Sequence, residues 1–124
     1  MNLRRLLQSD TVDVFAFLRA ARTTLARMGY YLLEYALIDD YVARREPFRG
    51  AHLALAREAH RRGDLILAGA LAEPTDRAVL VWRTDDRSLI ERFIDGDPYV
   101  HNGLVTSWTI RPWTVVVGDG AGQS

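Results

Sequence analysis

The sequence contains neither cysteine nor lysine. Without cysteine, the chain cannot form disulfides, use a thiolate nucleophile, or bind zinc or an iron–sulfur cluster through thiolates. Without lysine, Schiff-base catalysis and the phosphate-binding P-loop are excluded as well. All sixteen basic residues are arginine, a bias that codon usage in a GC-rich genome also explains.

The sequence also lacks an excess of charge of either sign and any long apolar run. Sixteen acidic residues balance the sixteen basic ones, and the isoelectric point is near 6.8. No long block of one sign marks a nucleic-acid-binding surface. No apolar stretch approaches the roughly 20 residues that span a bilayer, and the chain does not begin with a signal-peptide pattern. We therefore expect a cytoplasmic protein that binds neither nucleic acid nor membrane.

The 124 residues are enough for one hydrophobic core, and the chain divides into three parts. Residues 1–27 predict an amphipathic helix capped by Ser9-Asp10-Thr11. They form either an accessory helix or an over-extended gene start, because Met28 is also a natural beginning. Residues 28–117 form an α+β domain, and residues 118–124 form a flexible tail of small residues.

Hydrophobic patterns in the domain predict four strands and two helices. In chain order they are a strand at 30–38, a helix at 49–62, a hairpin of strands at 65–71 and 78–82, a helix at 88–93, a polar loop at 99–103 and a last strand at 104–117 bent at Pro112. This βαββαβ order is that of the ferredoxin-like α+β fold, whose antiparallel sheet carries both helices on one face. Because the strands are apolar on both faces, we expect a homodimer formed through the other sheet face.

Two sequence blocks resemble the YciI-like (YCII-related) family. The first is Arg49-Gly50-Ala51-His52-Leu53, followed by Gly63-Asp64-Leu65 and Ala68-Gly69. The second is Asp97-Pro98-Tyr99-Val100 with Gly103, followed by Thr109-Ile110-Arg111-Pro112-Trp113. These blocks and the strand order cover residues 29 to 117. The resemblance implies a dimeric α+β barrel with an active site built around a histidine and an aspartate.

The resemblance places the catalytic pair at His52 and Asp97 and a substrate-binding residue at Arg49. Tyr99, within the second block, and His101, beside it, are further substrate-binding candidates. An imidazole can accept a proton at neutral pH, and a carboxylate can orient the ring or stabilise the imidazolium. The alternative is structural: His52 bonds only to backbone near a helix N-terminus, Asp97 only caps a turn, and His101 lies in an exposed loop.

Metal and cofactor signatures are missing. Three histidines are formally enough for a metal site, but His52 and His60 are eight residues apart on one predicted helix, too far along its axis to share an ion easily. No glycine-rich nucleotide motif and no Ser-His-Asp signature occurs. We therefore expect neither a metal nor a cofactor.

Besides an oligomerising domain with no ligand at all, two functions stay open at this point. The resemblance implies an enzyme acting on a small molecule, with His52 as general acid and base and Asp97 as its orienting partner. An elimination or an isomerisation of a ring or an enolisable substrate fits this pair. The alternative is a non-catalytic dimeric module that binds a small ligand, such as an anion or an aromatic compound, or that acts in regulation.

Overall fold

The computed structural model describes residues 14–19 and 29–119. Residues 14–19 are helical and exposed, whereas the rest of the helix predicted at 1–27, and residues 120–124 of the predicted tail, lie outside the described residues. Between Gly29 and Asp119 the elements are β1 (Gly29–Leu37), α1 (Tyr41–Arg44), α2 (Glu46–Arg61), β2 (Leu65–Ala70), β3 (Arg77–Thr84), α3 (Arg87–Gly96), α4 (Pro98–His101) and β4 (Val105–Trp113). Within the described ranges, no helix combines the length and the apolar character needed to cross a bilayer.

The four strands form one antiparallel sheet in the order β2-β3-β1-β4. Along β1, the buried residues Leu33, Tyr35 and Leu37 alternate with partly exposed ones, as expected for a strand that covers a core with one face. The helix α2 connects β1 to β2, and α3 connects β3 to β4. The structure therefore confirms the predicted ferredoxin-like α+β fold.

Both long helices pack on the same face of the sheet. Trp82 of β3 meets Phe93 of α3 edge-on, with ring centroids 4.9 Å apart. His52 of α2 and Tyr35 of β1 both contact the carboxylate of Asp97. Tyr35 lies on the same sheet face as Trp82. The core lies between this face and the helices, and its centre, including Leu33 and Trp82, is fully closed to solvent.

The opposite face of the sheet is not covered by the described residues. Leu32 and Val81 are partly exposed there, and Leu67 and Trp113 are 71% and 47% exposed. Strand pairing places these four side chains on one side of the sheet. Val81 pairs with both Leu32 and Leu67. Trp113 pairs with Tyr30, which lies two residues before Leu32 on β1 and therefore on the same face. We refer to the surface formed by Leu32, Leu67, Val81 and Trp113 as the open face.

Several element boundaries differ from those predicted. The helix α2 begins at Glu46 rather than at residue 49, because Pro47 fits a first helical turn, where its missing N–H is not needed. Residues 98–101 form the short helix α4 rather than a loop. The strand β4 ends at Trp113 rather than at residue 117, because its partner β1 begins at Gly29 and offers no further pairing.

Candidate active site

Asp97 lies at the junction between α3 and α4 and is fully buried. The residue before a proline favours extended backbone, and Asp97 accordingly has φ −78° and ψ 118°, which ends α3 before Pro98 begins α4. The Asp97 Oδ1 accepts a hydrogen bond from the backbone N–H of Tyr99 at 3.0 Å and so caps α4. The local Asp-Pro sequence therefore directs a carboxylate into the protein interior.

Two side chains from distant parts of the chain also contact this carboxylate. The Nδ1 atom of His52 lies 2.7 Å from Oδ1, and the hydroxyl of Tyr35 donates to Oδ2 at 2.8 Å. A buried carboxylate needs such donors, since an unpaired charge in the interior is costly. Because an ionised carboxylate can only accept, the His52 Nδ1 is the donor in this contact, and the neutral tautomer that makes it has its lone pair on Nε2.

Tyr35, on the sheet side of the core, donates its hydroxyl hydrogen bond to the Asp97 carboxylate. Burial raises the pKa of Tyr35 well above its ordinary value, and the negative charge of Asp97 raises it further. The Tyr35 hydroxyl therefore keeps its proton throughout the neutral range and remains a donor to Asp97. We regard Tyr35 as a positioning residue, because it acts on His52 through Asp97.

An aromatic stack holds the plane of the His52 ring. The His52 and Tyr99 rings are nearly parallel, at 10°, with centroids 3.8 Å apart. Tyr41 meets Tyr99 edge-on, with centroids 5.6 Å apart. Burial and then Tyr41 raise the pKa of the Tyr99 hydroxyl, while the positive charges of Arg45 and Arg49 oppose this increase. With Nδ1 bound to Asp97 and one ring face covered by Tyr99, the orientation of the imidazole is determined.

The His52 ring lies in the wall of a cavity of about 420 Å³ between α2 and the strands β2 and β3. This volume is within the range of about 300–1,000 Å³ found for small-molecule sites. Small and aliphatic side chains, including Ala56, Leu65 and Leu80, form much of the lining. The His52 side chain is 15% exposed, so the ring is largely shielded but accessible from one side. An imidazole in this position can exchange a proton with a molecule in the cavity.

The structure brings most of the predicted site residues together. His52, Arg49 and Tyr99 line the cavity, and Asp97 lies behind His52, in contact with its ring. His101 is exposed on α4, where its Nε2 contacts the backbone carbonyl of Asp95, and it is not among the residues that line the cavity.

Three residues of the site were not among those predicted: Tyr35, Tyr41 and Arg45. Tyr35 and Tyr41 have the sequence signature of ordinary core aromatics, one in an apolar strand and one at the start of a helical turn. Arg45 lies in a charged run that resembles a solvated break between elements. The sequence does contain one indication of Arg45, its spacing from Arg49. The two residues are four apart and therefore share one face of a helix.

Histidines and carboxylates do not form a metal-ligand cluster in the described ranges, 14–19 and 29–119. The second histidine of α2, His60, instead has its Nδ1 2.7 Å from the backbone carbonyl oxygen of Leu65. It thereby connects the end of α2 to the start of β2. The polar groups of the cavity are the His52 imidazole backed by a carboxylate, the His60 imidazole, tyrosine hydroxyls and guanidinium groups.

These features define a ferredoxin-like α+β domain with a buried His–Asp contact beside a small-molecule cavity. Residues 28–114 match the model of the YCII-related domain, and the chain belongs to this family. The match confirms the family resemblance of the two sequence blocks. Among curated proteins, no relative matches the chain.

Solved structures with the same fold include two of different description. A 5-chloro-2-hydroxyhydroquinone dehydrochlorinase from Burkholderia phenoliruptrix, in complex with 2,5-dihydroxybenzoquinone, is 15% identical, with a TM-score of 0.60 over 74% of this chain and 98% of that chain. A NIPSNAP family protein from Agrobacterium tumefaciens is 15% identical, with a TM-score of 0.50 over 77% of this chain and 97% of that chain. At this identity, the similarity shows the fold alone.

Proposed function

We propose that this protein is a small-molecule enzyme in which His52 transfers a proton as general base and general acid. The observation that carries the proposal is the His52–Asp97 contact of 2.7 Å at the wall of the cavity. It leaves Nε2 as the ring nitrogen that can reach a bound molecule, since the described residues provide no hydrogen-bond partner for it. General acid–base catalysis requires a basic atom of this kind held within hydrogen-bond distance of the substrate.

In the proposed reaction, the Nε2 lone pair takes a proton from an acidic C–H bond of the substrate. The bonding electrons of that C–H bond form a new double bond or an enolate, and His52 becomes an imidazolium stabilised by the Asp97 carboxylate. In an isomerisation, Nε2 returns the proton to another carbon of the same molecule. In an elimination, a leaving group departs with its bonding electrons, and Nε2 later releases the proton to solvent. Both routes return His52 to its starting state and need no oxidant or reductant.

The substrate class is a ring compound or another molecule with an acidic C–H bond. The dehydrochlorinase of similar fold removes a chlorine substituent from a hydroxylated ring, as its name states, and this supports an elimination as one candidate reaction. The lining of aliphatic and aromatic side chains suits a flat, partly apolar molecule. In the alternative, a module that binds without catalysis, the bound molecule keeps its C–H proton.

Deuterium exchange tests the proposal without knowledge of the full reaction. The protein is incubated in D2O with chlorinated hydroquinones, lactones and enolisable ketones, and loss of each C–H signal is followed by proton NMR. A His52→Asn variant is the matched control, because the asparagine amide can replace Nδ1 as a donor to Asp97 while no atom replaces Nε2. We expect exchange on at least one compound to fall by about 10²–10⁴-fold in this variant. Exchange that survives the substitution refutes the role of His52, and binding without exchange supports the non-catalytic alternative.

We also propose that the open face forms a homodimer. Leu67 and Trp113 are 71% and 47% exposed on this surface, and contiguous exposed apolar side chains of this kind mark interaction sites. Light scattering coupled to gel filtration should give twice the chain mass of 14.0 kDa. Leu67→Glu should shift the protein to the monomer, whereas Val117→Glu, at a residue 86% exposed outside the open face, should not. A wild-type protein that runs as a monomer contradicts this proposal.

A further inference from the structure

The cavity beside His52 carries charge of one sign. Arg45, Arg49 and Arg57 line it, and no aspartate or glutamate of the described chain does so. None of these three forms an ion pair with a carboxylate in residues 14–19 or 29–119. Five other arginines do form such pairs: Arg61, Arg62, Arg77, Arg87 and Arg92. Positive charges that are not neutralised in a cleft attract and concentrate anions.

Arg45 is the least exposed of these three arginines. Its guanidinium lies over the ring of Tyr41, 5.2 Å from the ring centroid, and this contact restrains the charged group. Its Nε is buried and has no hydrogen-bond partner among the described residues. A buried N–H of a charged group is costly to leave without an acceptor. Because Nε itself has almost no accessible surface, an anion in the cavity would meet the Arg45 guanidinium through its terminal N–H groups.

The charges of Arg45 and Arg49 are close to the acid–base residue. Arg45 has helical backbone angles at the start of α2, so a separation of four residues places the two side chains beside each other. Both charges act on the hydroxyl of Tyr99, and the Tyr99 ring stacks on His52. If the anionic group of a ligand lies between the two arginines, the adjoining part of the ligand would therefore lie near His52. Small residues along β2, such as Ala68 and Gly69, border the rest of the cavity.

We infer that the substrate is a small planar organic carboxylate and that Arg45 is one of the residues that bind its charge. This inference rests on the proposed function, because it takes the bound molecule to be the substrate of His52. A guanidinium presents N–H donors in a planar fork that matches the two oxygens of a carboxylate. The carboxylate accepts from the terminal N–H groups of Arg45 and from Arg49, the apolar body lies along Ala56 and β2, and the acidic C–H bond close to the carboxylate faces His52.

Calorimetric titration of the full chain with benzoate, benzamide and inorganic phosphate tests this inference. We expect benzoate to bind at least about tenfold more tightly than benzamide, its neutral counterpart, and more tightly than phosphate. Arg45→Gln should weaken benzoate binding by about tenfold or more, and Arg45→Lys should restore part of the loss by keeping the charge. Arg61→Gln is the matched control, because Arg61 lies on the same helix, is 76% exposed and does not line the cavity.

Several results would overturn the inference. Equal binding of benzoate and benzamide means that the cavity does not recognise the negative charge, and phosphate binding without benzoate binding means that it recognises a different anion. Full benzoate affinity in Arg45→Gln, with the wild-type melting temperature, removes Arg45 from the site, as does an absence of binding by all three compounds. Failure of the proposed function has a separate signature, namely benzoate binding that Arg45→Gln weakens while deuterium exchange is indifferent to His52→Asn.

Discussion

Replacing Tyr35 by phenylalanine should remove one support of the buried carboxylate and little else. The substitution deletes the hydroxyl that donates to Asp97 Oδ2 at 2.8 Å, and the phenylalanine ring fills the same space. A hydrogen bond to a charged group contributes about 1.5–3 kcal/mol, and the Oδ2 atom would stay buried without it. We therefore expect the free energy of unfolding to fall by about 2–3 kcal/mol. A small domain has about 5–15 kcal/mol of stability, so the variant should still fold.

Urea denaturation followed by tryptophan fluorescence measures this change, because Trp82 is fully buried in the core. Tyr31→Phe is the matched control: Tyr31 lies on the same strand and the same sheet face as Tyr35, and its hydroxyl has no hydrogen-bond partner among the described residues. We expect the control to change stability by less than about 0.5 kcal/mol. Equal losses in the two variants would refute the claim that Tyr35 anchors Asp97. As a positioning residue, Tyr35 should also affect the rate of proton exchange more than benzoate affinity.

Three further predictions concern pH, glycine and the site histidine. The pKa of Tyr35 is raised above its ordinary value of 10.0 in the folded protein. Above pH 10 the unfolded chain therefore releases this proton first, and the contribution of Tyr35 to stability, intact below pH 10, is lost as the pH rises. Wild-type stability should fall there by about 1.4 kcal/mol more per pH unit than that of Tyr35→Phe. Gly63 has φ +86°, so Gly63→Ala should lower the stability by about 1–2 kcal/mol. Gly50 lies inside α2 with no atom within 4 Å of a new Cβ, so Gly50→Ala should raise the stability by up to about 1 kcal/mol. Thermal melts of both variants check this. His52→Ala should cost about 2–4 kcal/mol through the lost hydrogen bond and ring stack, and leave a folded protein, visible by circular dichroism, that lacks proton exchange.

The order of strands and helices was predictable because it depends on local patterns. The apolar run of β1 and the helical spacing of α2 are visible in short windows of sequence, and turn residues separate the elements. The end of β4 was not, because Val115 to Val117 have the pattern of a strand but lie beyond the first residue of β1. Strand length depends on the partner strand, which local pattern does not describe.

The candidate site was predictable where a sequence block marks it and not where the fold assembles it. His52 and Asp97 belong to the two family blocks, although 45 residues separate them. Tyr35 contacts Asp97 from 62 residues away, and its strand pattern is equally consistent with simple core packing. Arg45 lies between α1 and α2, and nothing in the local sequence distinguishes it from its exposed neighbour Arg44. The helix α4 has four residues, and it is the Asp97 cap that makes so short a segment helical.

The Oδ1 atom of Asp97 accepts from both the Tyr99 backbone and the His52 ring. The same oxygen therefore supports both the last helical turn before β4 and the alignment of the imidazole. A movement of the Asp97 carboxylate would release both contacts, and exchange of the Tyr99 amide proton with solvent should report how often that movement occurs. A substitution of Asp97 should therefore change both the cap of α4 and the orientation of the His52 ring, whereas a substitution on the far wall of the cavity should leave both in place.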